Sequence, residues 1–205
     1  MHLAVASATR GAKGFHPGPE CVEIRGMNDR KLLSAIPMVV LLCISSSLVE
    51  AQSPPAQAAL TVDGKKLSIA YFAPSVRGRT VFGEGSVISK DPTYPVWRAG
   101  ANNATTLMTE ADLTVGGLAV PKGVYTLYAL VKDPNAWELI ISKETRQWGT
   151  EYHPNLDLGR VKMQMSKPPA LIERLKYTLT STGANSAKLE LAWENHVASV
   201  PITVR

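Results

Sequence analysis

Cysteine is nearly absent from the 205-residue chain. The two that exist, Cys21 and Cys43, both stand before residue 51. Downstream of that point there is no disulfide, no thiol nucleophile and no thiolate metal site, which suits an oxidising compartment. Histidine is sparse too: beyond residue 51 only His153 and His196 remain. No apolar run approaches the roughly 20 residues that a spanning helix needs. A Gly-x-Ser-x-Gly elbow is missing, so a serine hydrolase of that type is excluded, and Ser75 and Ser86 are loop serines with no identifiable base. Gly83-Glu84-Gly85 lacks the lysine and the following helix of a phosphate-cradling loop. With charged residues at 19% and a formal charge of +5, no basic stripe interleaves with aromatics, and nucleic acid is not an expected partner. No cofactor motif is present.

What the chain does have begins with a leader. Residues 27–52 read as a secretory signal peptide. Arg30 and Lys31 form the basic n-region, residues 35–44 the apolar core, and Val49-Glu50-Ala51 a site for cleavage after Ala51. Residues 1–26 precede it and read as a misplaced translation start or an unstructured extension, with Met27 as the true first residue. Cys43 follows Leu42, where a lipoprotein signal needs a small residue. Removing residues 1–51, which carry five basic and four acidic groups, leaves 154 residues with a net charge of +4. The expected product is exported, periplasmic or extracellular, and has no membrane span once the leader is gone. Residues 52–57, with Pro54 and Pro55, read as a linker, and 58–205 as one domain large enough to fold without staples.

From Ala58 onward the apolar pattern has period two, the signature of half-buried strands. Leu60 and Val62 lead into Asp63-Gly64, a strong hairpin signal, and Leu67, Ile69 and Tyr71 continue beyond it. Leu113 and Val115 meet Gly116-Gly117, followed by Leu118 and Val120; Pro121-Lys122-Gly123 is a second tight turn. Residues 124–131 are apolar on both faces apart from Thr126, as in a central strand. Asp133-Pro134-Asn135 turns into the alternation Trp137, Leu139, Ile141. Leu175, Tyr177 and Leu179 share a face, residues 182–185 turn, and Ala187, Leu189, Leu191 and Trp193 share the next. Val200, Ile202 and Val204 end the chain. At least eight short strands predict an all-β fold: an antiparallel sandwich or a jelly-roll-like barrel with one long irregular connection. Only residues 171–175 and 143–148 could hold a helical turn. Trp137, Trp148, Trp193, Tyr125 and Tyr177 are expected in the core.

Two stretches break the alternation: residues 73–105 and 149–161. A connection of about thirty residues in a compact domain is usually functional or disordered. The first contains Ala73-Pro74-Ser75-Val76-Arg77-Gly78-Arg79 and, further on, Trp97-Arg98-Ala99-Gly100-Ala101-Asn102-Asn103-Ala104-Thr105. Together with residues 121–127, 137–141 and 147–149, these blocks resemble the bacterial family catalogued as domain of unknown function 2911. The resemblance spans about 58–205, and its specific part is the Trp-Arg-x-Gly-Ala-Asn-x-Ala-Thr block. It implies a secreted, periplasmic or surface-attached all-β domain and brings neither a reaction nor catalytic residues. An insertion-like segment at 86–95 departs from the family pattern.

The candidate site is Arg77, Arg79, Trp97, Arg98, Asn102, Asn103 and Thr105. Arginine forks hold carboxylates, phosphates and sulfates; indole faces stack on sugars; asparagine both donates and accepts. Gathered at one rim, they would bind an anionic or sugar-like ligand. The competing structural reading puts Trp97 in the core, pairs Arg98 with a carboxylate and spends the asparagines on loop backbone. His153 with Glu151 and Asp157 matches no metal-ligand spacing, so no metal site is expected. A glycosidase would need two opposed carboxylates; Glu84, Asp91, Glu110 and Asp112 are on offer without a pattern. The expected function is a non-catalytic envelope module that binds a small molecule, a glycan or a protein partner. The alternatives are a hydrolase of envelope glycans or esters and a purely structural domain.

Overall fold

A computed structural model describes residues 52–205; the expectations for residues 1–51, including both cysteines and the signal peptide, lie outside the described residues. Two antiparallel sheets pack face to face. The first carries β1 (Pro55–Val62), β2 (Lys65–Phe72), β4 (Thr105–Thr109), β7 (Gly123–Leu130), β8 (Glu138–Ser142) and β9 (Asp157–Lys162) in that order, with the two-residue β3 (Val96–Trp97) also on β7. The second runs β11 (Ile172–Gly183), β12 (Ser186–Glu194), β13 (His196–Val204), β5 (Leu113–Val115), β6 (Leu118–Val120), and β10 (Gln164–Ser166) pairs with β13. The sheets do not close into a barrel, so the sandwich alternative is the one realised.

The hairpins form where the turn residues allow them. Asp63 and Gly64 both hold left-handed backbone, which suits the two-residue loop between Val62 and Lys65. Gly116 and Gly117 do the same between Val115 and Leu118. Alternation then sends Leu67, Ile69 and Tyr71 of the first sheet against Leu175, Tyr177, Leu189, Leu191, Val200 and Ile202 of the second, all buried in one core. β7 is buried on both faces through most of its length. Its outer face carries Tyr128, which forms a smaller cluster with Val96 and Ile140.

That smaller cluster explains the second irregular stretch. Tyr152 packs edge-on over Tyr128 at 5.0 Å, and the Tyr128 hydroxyl donates to the Glu151 carbonyl. Residues 149–157 therefore cover the outer face of the first sheet. The two segments considered for helical turns are otherwise: β11 starts at Ile172, and 143–148 is bends with one isolated bridge. Only two 3-10 turns, Ile88–Lys90 and Pro154–Leu156, occur among the described residues. No helix there is long and apolar enough to cross a membrane.

The long connection is not a loose rim. Ala73, Val76, Val81, Ile88, Trp97 and Ala99 along it are buried in the main core. It forms a strap over one end of the sandwich. The strap is tied to both sheets at one atom: the Ala99 carbonyl accepts from Thr105 Oγ1 at 3.1 Å and from the Tyr177 hydroxyl at 2.9 Å. Burial raises the Tyr177 hydroxyl far above its ordinary value, so it stays a donor. Tyr177→Phe is expected to lower unfolding stability by about 1–2 kcal/mol, the cost of a lost buried hydrogen bond, as read from the urea midpoint.

Candidate functional site

The block 97–105 folds around its own backbone. Ala99 and Asn102 both adopt left-handed conformations. Gly100 is required between them, because a Cβ there would fall 2.6 Å from Thr105 Oγ1. Trp97 turns inward and its indole donates to the Gly100 carbonyl at 3.2 Å. Arg98 reaches back along the strap to Asp91 at 2.7 Å, with the two side chains only 15% and 9% exposed. Burial works to raise the Asp91 carboxyl, but hydrogen bonds from Arg98 and Thr93 outweigh it and hold the group below the usual carboxylate value. Gly149 closes the arrangement. Its N–H donates to the Asn102 carbonyl at 3.1 Å, and a Cβ would meet Arg98 Cδ at 2.5 Å and that carbonyl at 2.6 Å. Gly149 follows Trp148, and Trp148 bridges Asn103. The blocks 97–105 and 147–149 are thus two halves of one packed unit.

The seven candidate residues separate into two groups. Trp97 is core and Thr105 is fully buried, each spent on the backbone of its own turn. Arg98 pairs with Asp91, and Asn103 is exposed beside Trp148. Arg77, Arg79 and Asn102 do converge. With Ser53, Pro74 and Ser75 they line one hollow of about 360 Å³. Arg77 sits at the turn in left-handed backbone, its N–H held by Glu173 Oε1 at 2.9 Å. The Arg79 guanidinium is held by the Val76 and Ser75 carbonyls at 3.1 and 2.8 Å, which engages two of its five donors and fixes its plane. Asn102 reaches the Ser53 carbonyl at 3.5 Å. A neighbouring hollow of about 250 Å³ shares Arg79 and Asn102 and is walled by Arg98, Asp91, Trp97 and Trp193.

A second constellation escaped sequence reasoning. Phe82, from the strap, wedges among Trp97, Trp137, Trp193 and His196 with ring centroids 4.7–5.8 Å away. Trp97 and Trp193 stack across the two sheets at 5.7 Å, and His196 lies flat on Trp137 at 5.3 Å. Glu194, at the β12–β13 turn in left-handed backbone, accepts the Val81 N–H through Oε1 at 2.8 Å. Its Oε2 sits 3.4 Å from His196 Nδ1, which has no hydrogen-bond partner. Burial, helped by Lys167 and opposed by Glu194, pushes the imidazole below its ordinary value. His196 lines a hollow of about 390 Å³ with Lys167, Ser166, Asn135, Asn195, Met165 and Pro134. With only two histidines after residue 51, His196 stands out in the sequence, but its surroundings come from the strap's Phe82 and the hairpin's Glu194.

The other candidates do not assemble. His153 pairs with Glu144 at 2.9 Å, whereas Asp157 is taken by Tyr152 and Arg160; no cluster of three metal-ligating side chains exists among the described residues. Glu110 accepts the Lys66 N–H and Asp112 the Lys122 N–H, whereas Asp91 pairs with Arg98. Trp148 corrects the expectation of a core residue. Gln147 turns inward instead, donating to Thr126 Oγ1 and the Tyr128 hydroxyl, and the next side chain must point out; Trp148 is 49% exposed.

A two-sheet antiparallel sandwich, capped by a strap that turns arginines toward a polar hollow, is the class of protein these features define. The family model described as protein of unknown function (DUF2911) matches residues 53–202, and the chain belongs to that family. Neither the curated proteins nor the solved structures yield a match.

Arg98→Ala should cost about 3 kcal/mol in a urea unfolding curve, because it strands the Asp91 carboxylate in a largely buried place. Titrating stability tests His196. Its folded value lies below the 6.5 of the free imidazole, so the unfolded chain binds more protons there. Stability is therefore fully present above pH 6.5 and falls as pH drops through 6.5 toward the folded value. His196→Phe should flatten this acid-side slope in the denaturation midpoints.

Proposed function

We propose that the chain is an exported, envelope-associated binding module, and that the hollow lined by Arg77, Arg79 and Asn102 receives the anionic group of a small acid or acidic glycan. One observation carries the reading: two guanidinium groups and an asparagine, from turns 23 residues apart in sequence at Arg79 and Asn102, share one polar hollow of about 360 Å³. Two peptide carbonyls hold the Arg79 fork in place before any ligand arrives, which lowers the ordering cost of binding. A carboxylate, sulfate or phosphate oxygen pair matches that planar fork. Recognition from a connection mounted on a rigid scaffold is the common arrangement. Export is supported by the leader pattern in residues 27–51 and by the absence of cysteine after residue 51.

A second reading concerns Arg98 alone. Its pairing with Asp91, largely out of water, favours a structural role for that arginine. The Trp-Arg-x-Gly-Ala-Asn-x-Ala-Thr block then builds the wall of the site, and the arginines before it meet the ligand.

The two roles separate in a thermal-shift titration with inorganic sulfate, inorganic phosphate and glucuronate. At about a hundredfold the dissociation constant a bound anion adds about 2.7 kcal/mol. The native chain is expected to gain stability with at least one of the three. Arg77→Ala combined with Arg79→Ala is expected to stay folded, losing about 1–3 kcal/mol with the Arg79–carbonyl hydrogen bonds, and to abolish the gain. A gain that survives the double substitution, or no gain with any of the three anions, overturns the reading.

A further inference from the structure

The hollow at the β12–β13 turn lies outside the arginine site. Its lining combines the polar residues Asn135, Asn195, Ser166, Lys167 and His196 with the apolar Met165 and Pro134. We propose that this hollow is a second binding site, one that takes a small carboxylate carrying a hydroxyl group.

Charge and hydrogen-bond chemistry set both halves of that ligand. Glu194 Oε2 stands 3.4 Å from His196 Nδ1. A carboxyl group on that side draws the imidazole proton to Nδ1 and leaves Nε2 as an acceptor. Among the described residues His196 makes no hydrogen bond, and of its two ring nitrogens only Nδ1 is both buried and unpartnered. An acceptor in a wall calls for a donor on the ligand, and it repels a carboxylate oxygen; a hydroxyl satisfies it. The carboxylate belongs instead beside Lys167, with Asn135 and Asn195 as amide donors. The apolar lining takes a short carbon skeleton. A volume of about 390 Å³ is at the small end of ligand sites, enough for a hydroxy acid or one sugar acid and too little for a glycan chain.

The surroundings are built for rigidity. Trp137 backs the imidazole at 5.3 Å and Phe82 meets its edge at 4.8 Å, so the ring cannot swing away. Glu194 is itself clamped by the Val81 N–H. Five buried side-chain polar atoms among the described residues lack a hydrogen-bond partner, and three of them, Trp137 Nε1, Trp193 Nε1 and His196 Nδ1, fall in this one aromatic cluster. Orphaned buried groups are rare and concentrate where strain or recognition is retained. A ligand hydroxyl on Nε2 would polarise the ring and strengthen the 3.4 Å Nδ1–Glu194 contact.

The test follows the His196 ring nitrogens by nuclear magnetic resonance in protein labelled on histidine nitrogen. Lactate and glucuronate are titrated separately, beside propionate, which lacks the hydroxyl, and glucose, which lacks the acid. The expected result is a saturating shift of the Nε2 resonance with lactate or glucuronate at concentrations up to about 10 mM, the range of a weak small-ligand site. Which of the two acts distinguishes a simple hydroxy acid from a sugar acid. Lys167→Ala, a change at an exposed side chain, should weaken the response about tenfold, the effect of losing one charge-assisted contact. Arg77→Ala with Arg79→Ala should leave it unchanged. Absence of a shift with either hydroxylated acid, an equal response to propionate, or an unweakened response in Lys167→Ala would overturn the proposal.

Discussion

The Ala99 carbonyl is the point on which the strap depends. Thr105 opens β4 in the first sheet and Tyr177 lies in β11 of the second, and both donate to that one oxygen. Ala99 must hold a left-handed backbone to present it, and Gly100 must lack a side chain for Thr105 to reach it. Once that oxygen is fixed, Trp97 is committed to the core, Arg98 is committed to Asp91, and Asn102 is turned toward Ser53. The recognisable run of residues from Trp97 to Thr105 is therefore a folding unit first. Of its polar side chains, Arg98 is spent on Asp91, and Asn102 lines the hollow of Arg77 and Arg79.

Most of the scaffold was legible. Period-two alternation marked the inward faces of β2, β8, β11, β12 and β13, and Asp63-Gly64 and Gly116-Gly117 marked the β1–β2 and β5–β6 turns by the conformations those residues tolerate. Three features were not legible. The strap has no period, because its buried residues Val76, Val81 and Ile88 enter the core singly from turns. Trp148 points outward because Gln147, a polar residue, is drawn in by the hydroxyls of Thr126 and Tyr128, which are themselves partly a product of the outer cluster. The site at His196 joins a hairpin turn to a strap more than a hundred residues earlier, and no local pattern encodes such a meeting.

The arginines of this chain divide their work by burial. Arg98, beside a carboxylate and largely out of water, contributes geometry. Arg77 and Arg79 are exposed around a hollow, and carbonyls fix the plane of Arg79. Glu194 has the corresponding role at the other hollow: one oxygen anchors the strap and the second faces a histidine. In both places the strap adds to a regular sandwich side chains that no single sheet supplies. Its single aromatic wedge, Phe82, touches four rings that belong to both sheets and the connection between them.

The two sheets also meet along their sides. β1, the edge of the first sheet, lies against β11, the edge of the second, and β6 lies against β9 at the opposite flank. Free strand edges are templates on which other chains can pair and aggregate. Here each exposed edge is shielded by its counterpart without hydrogen bonds that would close a barrel. The sandwich keeps two separable layers and yet offers a neighbouring molecule little open backbone, a form of self-protection that costs the chain no extra residues.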